Sequence, residues 1–503
     1  MNTNKIKRVV IAGGGTSGWI TAALLSRQLG KVLDITLVES EEIGTIGVGE
    51  STVPPMKAFN KIMGIDEQEF MRETAATFKL AIWFENWCLK GDQYIHPFGV
   101  TGQPGWACEF HHFWLRSQKM GLKSALGEYC VEWVAADQGK FFTSPNSKIN
   151  YAYHIDAALY AKFLRKIAEG YGVKRVEGKI ERVNQNADSG FIESLNMASG
   201  EVIDGDLFID CTGFRGLLIE QTLHTGFEDW AHWLPCDTAV AVQTENVGPV
   251  QPYTSAIAHD AGWRWNIPLQ HRSGNGYVFC SRYMSVDEAT SQLLAAVPGK
   301  QTRDPWTVKV RTGRRRKAWN KNCVAIGLAG GFVEPLEATS IHIIMSTAAR
   351  LSHLFPFNGI DQSLVDQFNK ETKEEIEEIR DFIVLHYNTT ERQDTPFWRY
   401  CKNMEIPESL KLRIDLFKDV GHAISNNGGL FRLDSWVHVL MGQRVVPRSY
   451  HRAADVMDDD YLQNFLNNFK TSVKNPVAAM PDHQTFLDQY CPAQVDVWGR
   501  PKG

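Results

Sequence analysis

The stretch Gly13-Gly14-Gly15-Thr16-Ser17-Gly18 limits this chain more than any other feature. It follows the apolar run Arg8-Val9-Val10-Ile11-Ala12 and precedes an Ala- and Leu-rich segment, Trp19 to Leu29, that reads as a helix. Asp34-Ile35-Thr36-Leu37-Val38-Glu39 reads as the next strand. Strand, glycine turn, helix and strand in that order predict a parallel sheet. The spacing satisfies G-x-G-x-x-G. Its glycines serve a tight turn, a close backbone approach to a pyrophosphate, and helix–strand packing. The free amides of the following helix favour that anion. Glu39 ends the second strand, where a carboxylate can grip ribose hydroxyls. A dinucleotide site is expected.

Two later segments bear on which dinucleotide. Leu207-Phe208-Ile209-Asp210-Cys211-Thr212-Gly213 is a buried strand with a small-residue exit, and Cys323 to Gly331 is another. Separate elements returning to one ligand suit FAD. The alternative is that both are ordinary buried strands with tight exits. No second G-x-G-x-x-G occurs, so no dedicated nicotinamide domain is visible, and the multiple FAD-like elements disfavour an NAD-dependent dehydrogenase.

The 503 residues could make about three domains at ~150 residues each, or one large α/β assembly. A hydrophobic content of 43% with 22% charged residues places the chain among ordinary globular proteins. The net charge of −5 and the lack of basic tracts argue against nucleic-acid and membrane-surface partners. No apolar run reaches the ~18 residues of a membrane span, and no signal-type segment opens the chain. Nine widely spaced Cys without a CxxC argue against disulfides and zinc and fit a cytoplasmic location. Residues 230–320 read as mainly β, with a turn at Ser273-Gly274-Asn275-Gly276. From about 341 onward the pattern is helical.

Fifteen Trp against fourteen Tyr is an unusual ratio, read first as core. In Gly262-Trp263-Arg264-Trp265-Asn266-Ile267-Pro268 the two indoles and Ile267 share one face of a strand. Pro268 ends the ladder or marks its edge. By residue chemistry alone this wall is sheet core. On the same footing Lys79, in Thr77-Phe78-Lys79-Leu80-Ala81-Ile82, belongs on a solvent face. Glu337 reads as an exposed helix-start carboxylate, and Thr339 and Ser340 read as helix caps whose free amides suit an anion.

The glycine turn with Trp19, the segment Gly47-Val48-Gly49-Glu50-Ser51-Thr52 and Trp263-x-Trp265-x-Ile267-Pro268 together resemble the flavin-dependent halogenases, in their tryptophan-halogenase branch. The resemblance runs to about residue 400, including Gly327 to Ile341 and Asn388 to Trp398. It implies an α/β + α fold: an FAD-binding Rossmann-like module with mixed sheets, under a mainly helical C-terminal module. The expected division is 1–340 for the interleaved FAD-binding and β-rich module and 341–503 for the helical, substrate-covering module.

The resemblance implies that FADH2 from a separate NAD(P)H-dependent flavin reductase reacts with O2 to give a C4a-hydroperoxide. Chloride or bromide then yields hypohalous acid, which travels through a tunnel to an aromatic substrate. Lys79 would form a haloamine or hydrogen-bond hypohalous acid. Glu337 would polarise that species and take the ring proton. Backbone amides of Thr339 and Ser340 would bind halide; close relatives often carry Gly in place of Ser340. Trp263, Trp265, Ile267 and Pro268 would bar the substrate from the flavin. The cofactor contacts implied are Gly13, Gly15, Thr16, Ser17, Gly18, Glu39, Gly49, Val183, Asp210, Gly213, Leu328, Gly330, Gly331 and Ile341.

His96 and Phe98 resemble a pair that packs on substrate indole, with Trp436 on the opposite face. No Tyr-Tyr pair for an amino-acid head group stands in residues 400–460, and 423–430 is short and glycine-rich. Indole or a related arene is therefore expected over free tryptophan. The resemblance leaves a homodimer open. Two rival readings remain, a flavin hydroxylase and a non-catalytic FAD-binding protein. Gly327-Leu328 in place of a Gly-Asp motif argues against the first, and Lys79 with Glu337 against the second.

Overall fold

The structure is a computed structural model that describes residues 5–42, 49–103, 105, 107–426 and 428–500. The chain divides into two compact units, each assembled from three segments. Met1–Thr74, Ile155–Asp237 and Lys309–Glu377 form the first; Ala75–His154, Thr238–Val308 and Glu378–Gly503 form the second.

A six-stranded sheet organises the first unit. Its order is Trp319–Asn320, Cys323–Ala325, Leu207–Asp210, Arg8–Ala12, Asp34–Glu39, Lys174–Glu177. All neighbours pair in parallel except the antiparallel edge strand Trp319–Asn320. Apart from exposed Arg8 and the buried acid Asp210 at a strand end, the central strands are apolar and buried, as a sheet covered on both faces requires. The helix Thr16–Leu29 buries every residue from Gly18 to Ser26, and Arg27 is its first charge. The helix Ala157–Gly170 starts where Asp156 accepts hydrogen bonds from the amides of Ala158 and Leu159.

The second unit is built on a seven-stranded sheet ordered Trp306–Lys309, Thr238–Thr244, Ser273–Phe279, Gly262–Pro268, Tyr253–Ala258, Ala81–Glu85, Gln93–Pro97. The short strand Thr77–Lys79 pairs antiparallel with residues 152–154. Its helices include Phe110–Lys119, Glu408–Val420, Leu433–Gly442, Asp459–Ala478 and His483–Tyr490.

Elements after Ser340 are helical, but residues 341–377 belong to the first compact unit, and the boundary at Glu377/Glu378 falls inside the helix Gln362–Asn388. Ser273 to Gly276, expected as a turn, instead lie within the strand Ser273–Phe279. The reason is packing: Gly276 sits opposite Trp265, and a Cβ there would fall 2.0 Å from the indole ring. The glycine leaves room for a neighbouring indole rather than reversing the chain. No helix among the described residues is long and apolar enough to cross a membrane.

Candidate functional site

In the first unit four parallel strands end side by side. Ala12 pairs with Val38 and Asp210, and Asp210 pairs with Ala325. Their exit turns therefore meet at one sheet edge. Gly13 (φ +110°) lies so close to the second turn that a Cβ on it would stand 2.3 Å from the Cys211 carbonyl oxygen. A Cβ on Gly18 would stand 1.9 Å from the Gly13 oxygen, and one on Gly327 would stand 2.8 Å from Ser17 Cβ. The widely separated glycine segments thus converge on the start of the helix Thr16–Leu29, rather than forming independent tight exits.

That helix start is bare. Its N-cap is Gly15, with no side-chain cap and no acidic residue in the first turn. Added Cβ atoms on Gly15 or Gly213 would meet nothing within 4 Å. Glu39 lies over Gly14, its carboxylate accepting hydrogen bonds from Trp19 Nε1 at 3.2 Å and Arg175 Nε at 2.5 Å. Gly49 is buried nearby in sequence; Gly47 and Val48 lie outside the described residues. Leu328 occupies the turn Gly327–Ala329, followed by Gly330 and by Gly331, which pairs with Arg314.

Two further expected cofactor contacts, besides Glu39, have other partners. Both carboxylate oxygens of Asp210 are spent locally: one accepts from the Thr212 amide and hydroxyl, the other from the amides of Leu218 and Ile219. Asp210 shapes the second turn instead of reaching out of it. Val183 pairs with Leu195 in a separate antiparallel sheet and packs on an apolar cluster that holds Ala12, Val38 and Ala329.

The segment from Glu334 to Ile341 also belongs to the first unit. Pro335–Glu337 is a single helical turn, and Ala338 follows in the left-handed region at φ +57°. A non-glycine residue there costs about 1–2 kcal/mol, a strain that surrounding packing must hold. Thr339 is the N-cap of the 14-residue helix Ser340–His353, without a side-chain cap or a first-turn acid. Thr339 Oγ1 is buried and has no hydrogen-bond partner among the described residues. Free amides and a spare hydroxyl at one helix start form a donor set that suits a small anion. Glu337 is 1% exposed, which corrects the solvent-facing reading of a helix-start glutamate. Ile341 is buried on the same helix.

In the second unit Lys79 has no exposed surface. The solvent-face expectation from residue chemistry therefore fails: all three residues of Thr77–Lys79 are buried. Lys79 Nζ stands 4.9 Å from the centroid of the Phe98 ring, within cation–π range. Phe98 meets His96 edge-on at 6.2 Å, and His96 lies 5.6 Å from Phe382. Phe382 stacks on Phe431 at 3.8 Å and meets Trp436 edge-on at 4.8 Å. Lys79, Phe98, His96 and Trp436 are thus brought into one aromatic cluster. Phe382 and Phe431 are its unforeseen members. Phe382 was hidden in the long helix beside the apolar stripe Ile379–Ile383, and its stacking partner is distant in sequence. The Arg413 guanidinium lies 4.5 Å over Trp436 and donates to Asn426 and the Ile424 carbonyl.

The strand Gly262–Pro268 alternates as its sequence requires. Trp263, Trp265, Ile267 and Pro268 are buried, while Arg264 and Asn266 are half-buried. The indoles stand 6.1 Å apart and Trp263 also meets Trp87 at 6.2 Å. Gly276 is the residue the sequence reading missed here. Gly276→Ala forces the Trp265 ring to shift and should cost about 1–3 kcal/mol by overpacking. Denaturant unfolding measures that loss, and a midpoint equal to wild type would show that the wall gives way freely.

Comparisons with known proteins identify the family. The tryptophan halogenase family model matches residues 8–459. The chain belongs to that family. Tryptophan 6-halogenase ThaL of Streptomyces albogriseolus is 38% identical over 441 residues, which is 82% of each chain. Among solved structures, Xcc4156, a flavin-dependent halogenase from Xanthomonas campestris, superposes with a TM-score of 0.96 at 49% identity, covering 97% of this chain and 99% of its own. BrvH, a flavin-dependent halogenase from Brevundimonas sp. BAL3, has a TM-score of 0.93 at 41% identity, covering 97% and 100%.

This chain is thus a flavin-dependent halogenase with an FAD-binding α/β part and a helical part. Use of FADH2, O2 and halide is general to its family. The first unit fits the flavin: the bare helix start and the open space over Gly15 and Gly213 can take a pyrophosphate.

Proposed function

We propose that the halogenase installs chloride or bromide on an electron-rich arene of the indole type, using FADH2 delivered by a separate NAD(P)H-dependent flavin reductase. The observation that carries the reading is a fully buried lysine, Lys79, whose Nζ is set against Phe98 in an aromatic cluster. Gly13, Gly15, Thr16, Ser17, Gly18 and Gly213 would hold reduced FAD, which with O2 would supply the oxidising power that turns halide into hypohalous acid. Thr339 and Ser340 hold the halide by backbone amides, with the Thr339 hydroxyl as a further donor. Lys79 captures the hypohalous acid, and His96, Phe98 and Trp436 flank the arene. The arene carbon takes the halogen as the oxygen–halogen bond breaks, its displaced proton passes to Glu337, and the departing hydroxide is protonated and released as water. Trp263, Trp265, Ile267 and Pro268 block direct contact between arene and flavin.

Tryptophan is the named substrate of ThaL. In this chain the charged groups beside the cluster are already engaged, which favours an arene without an amino-acid head group. Arg413 is tied to Ile424 and Asn426, Arg432 donates to the Phe98 carbonyl, and Asp434 accepts from the Thr101 amide. A zwitterion would have to displace these bonds or remain unpaired, at about 1–3 kcal/mol each. In direct competition, kcat/KM for indole should exceed that for L-tryptophan by at least about tenfold, a difference of ~1.4 kcal/mol. Halogenation of L-tryptophan at the higher efficiency would overturn the substrate assignment.

A further inference from the structure

We infer that His154 and His483 are positioning residues that brace the Lys79 strand, His154 through the Thr77 side chain and His483 through the Phe78 backbone amide. The inference rests on the proposed role of Lys79 as the group that captures hypohalous acid.

The strand Thr77–Lys79 has only three residues, too few for a ladder to fix a long side chain. Thr77 pairs with His154 across the strands, and Lys79 with Ala152. The Thr77 hydroxyl lies 2.7 Å from the Pro268 carbonyl oxygen and 2.8 Å from His154 Nδ1. A carbonyl only accepts, so the single Thr77 proton is committed to Pro268. Thr77 Oγ1 must then receive Nδ1–H from His154. In the neutral ring Nε2 keeps its lone pair and accepts from the Thr254 hydroxyl at 2.9 Å. One imidazole thereby ties the lysine strand to the end of the tryptophan wall at Pro268 and to the strand Tyr253–Ala258.

The second brace follows the same logic. His483 Nδ1 lies 3.0 Å from the Val250 carbonyl oxygen, which again only accepts. Its Nε2 therefore accepts the Phe78 amide at 3.2 Å. Both histidines are buried and both carry the proton on Nδ1. Burial and the nearby Lys79 charge hold His154 well below the ordinary histidine range, and burial brings His483 to about 4. The braces thus stay uncharged near neutral pH, so they fix the strand without adding cations beside Lys79. The helix His483–Tyr490, beyond the matched family segment, enters the proposed site in this way.

The test compares His154→Leu, His154→Asn and Lys79→Met in the full chain with FAD, a flavin reductase, bromide and indole. His154→Leu should lower kcat about 10- to 100-fold, as ~1 Å misplacement of a reacting group does. KM for indole and FAD affinity should stay within about twofold. The share of oxidised bromide trapped as free hypobromous acid should rise. Asn restores an N–H near the δ1 position and should recover kcat to within about threefold of wild type. Nitrogen-15 spectra of selectively labelled wild-type protein should show His154 and His483 protonated at Nδ1. Protonation at Nε2, or Asn no better than Leu, would overturn the proposal even if the Leu variant fails to fold. If Lys79→Met is inactive while His154→Leu matches wild type, the brace alone is refuted. If Lys79→Met still halogenates, the role of Lys79 itself falls.

Discussion

Lys79→Met is expected to abolish halogenation, with a loss of at least about 10³-fold in product per enzyme, within the range that a positioned acid–base or capturing group supplies. Methionine nearly matches the buried stem of lysine and leaves no large cavity, so the ammonium alone is removed. Lys79 has no exposed surface and lies against Phe98. FAD affinity and thermal unfolding should stay near wild type. O2 consumption should continue, and hypohalous acid should leak to a solution trap instead of reaching the arene. Loss of FAD binding in this variant would mean that Lys79 supports the fold rather than the chemistry.

Gly18→Ala should weaken FAD binding at least about 100-fold, equivalent to ~2.7 kcal/mol. The added Cβ would lie 1.9 Å from the Gly13 carbonyl oxygen, a backbone atom that cannot rotate away. Relief requires the helix Thr16–Leu29 to move off the turn, which also pulls Ser17 from Gly327. The bare amides at Gly15 then lose the arrangement a pyrophosphate needs. Gly15→Ala separates fold from site: its Cβ meets no protein atom within 4 Å, so the fold should survive while the methyl enters the space left for the pyrophosphate. Flavin fluorescence titration measures both variants. An unchanged Kd for Gly18→Ala would remove the first glycine turn from the flavin site.

Local patterns carried much of this account. The glycine spacing and apolar runs predict the parallel strands, and alternation predicts which side of Gly262–Pro268 is buried. Periodicity could not show that the exits after Asp210 and Ala325 meet the first glycine turn, because register between distant strands is a tertiary property. Lys79 illustrates the limit most directly. A lysine among apolar residues is ordinarily a solvent-face residue, and only partners from elsewhere in the chain show it buried. Asp210, a cofactor contact implied only by the resemblance, accepts four local hydrogen bonds that no sequence pattern shows. Gly276 looked like a turn because a glycine required by an indole on the next strand resembles a glycine required by φ. Phe382 and Phe431 stack from a helix and a loop that no sequence spacing connects.

The most direct measurement is mass spectrometry of the indole products formed by the wild-type halogenase with FAD, NADH and a flavin reductase, run with and without bromide. Bromoindole is expected in the first reaction and no oxidised indole in the second, because the wall proposed at Trp263 and Trp265 would keep the arene from the flavin. Hydroxylated indole formed equally in both reactions would contradict it.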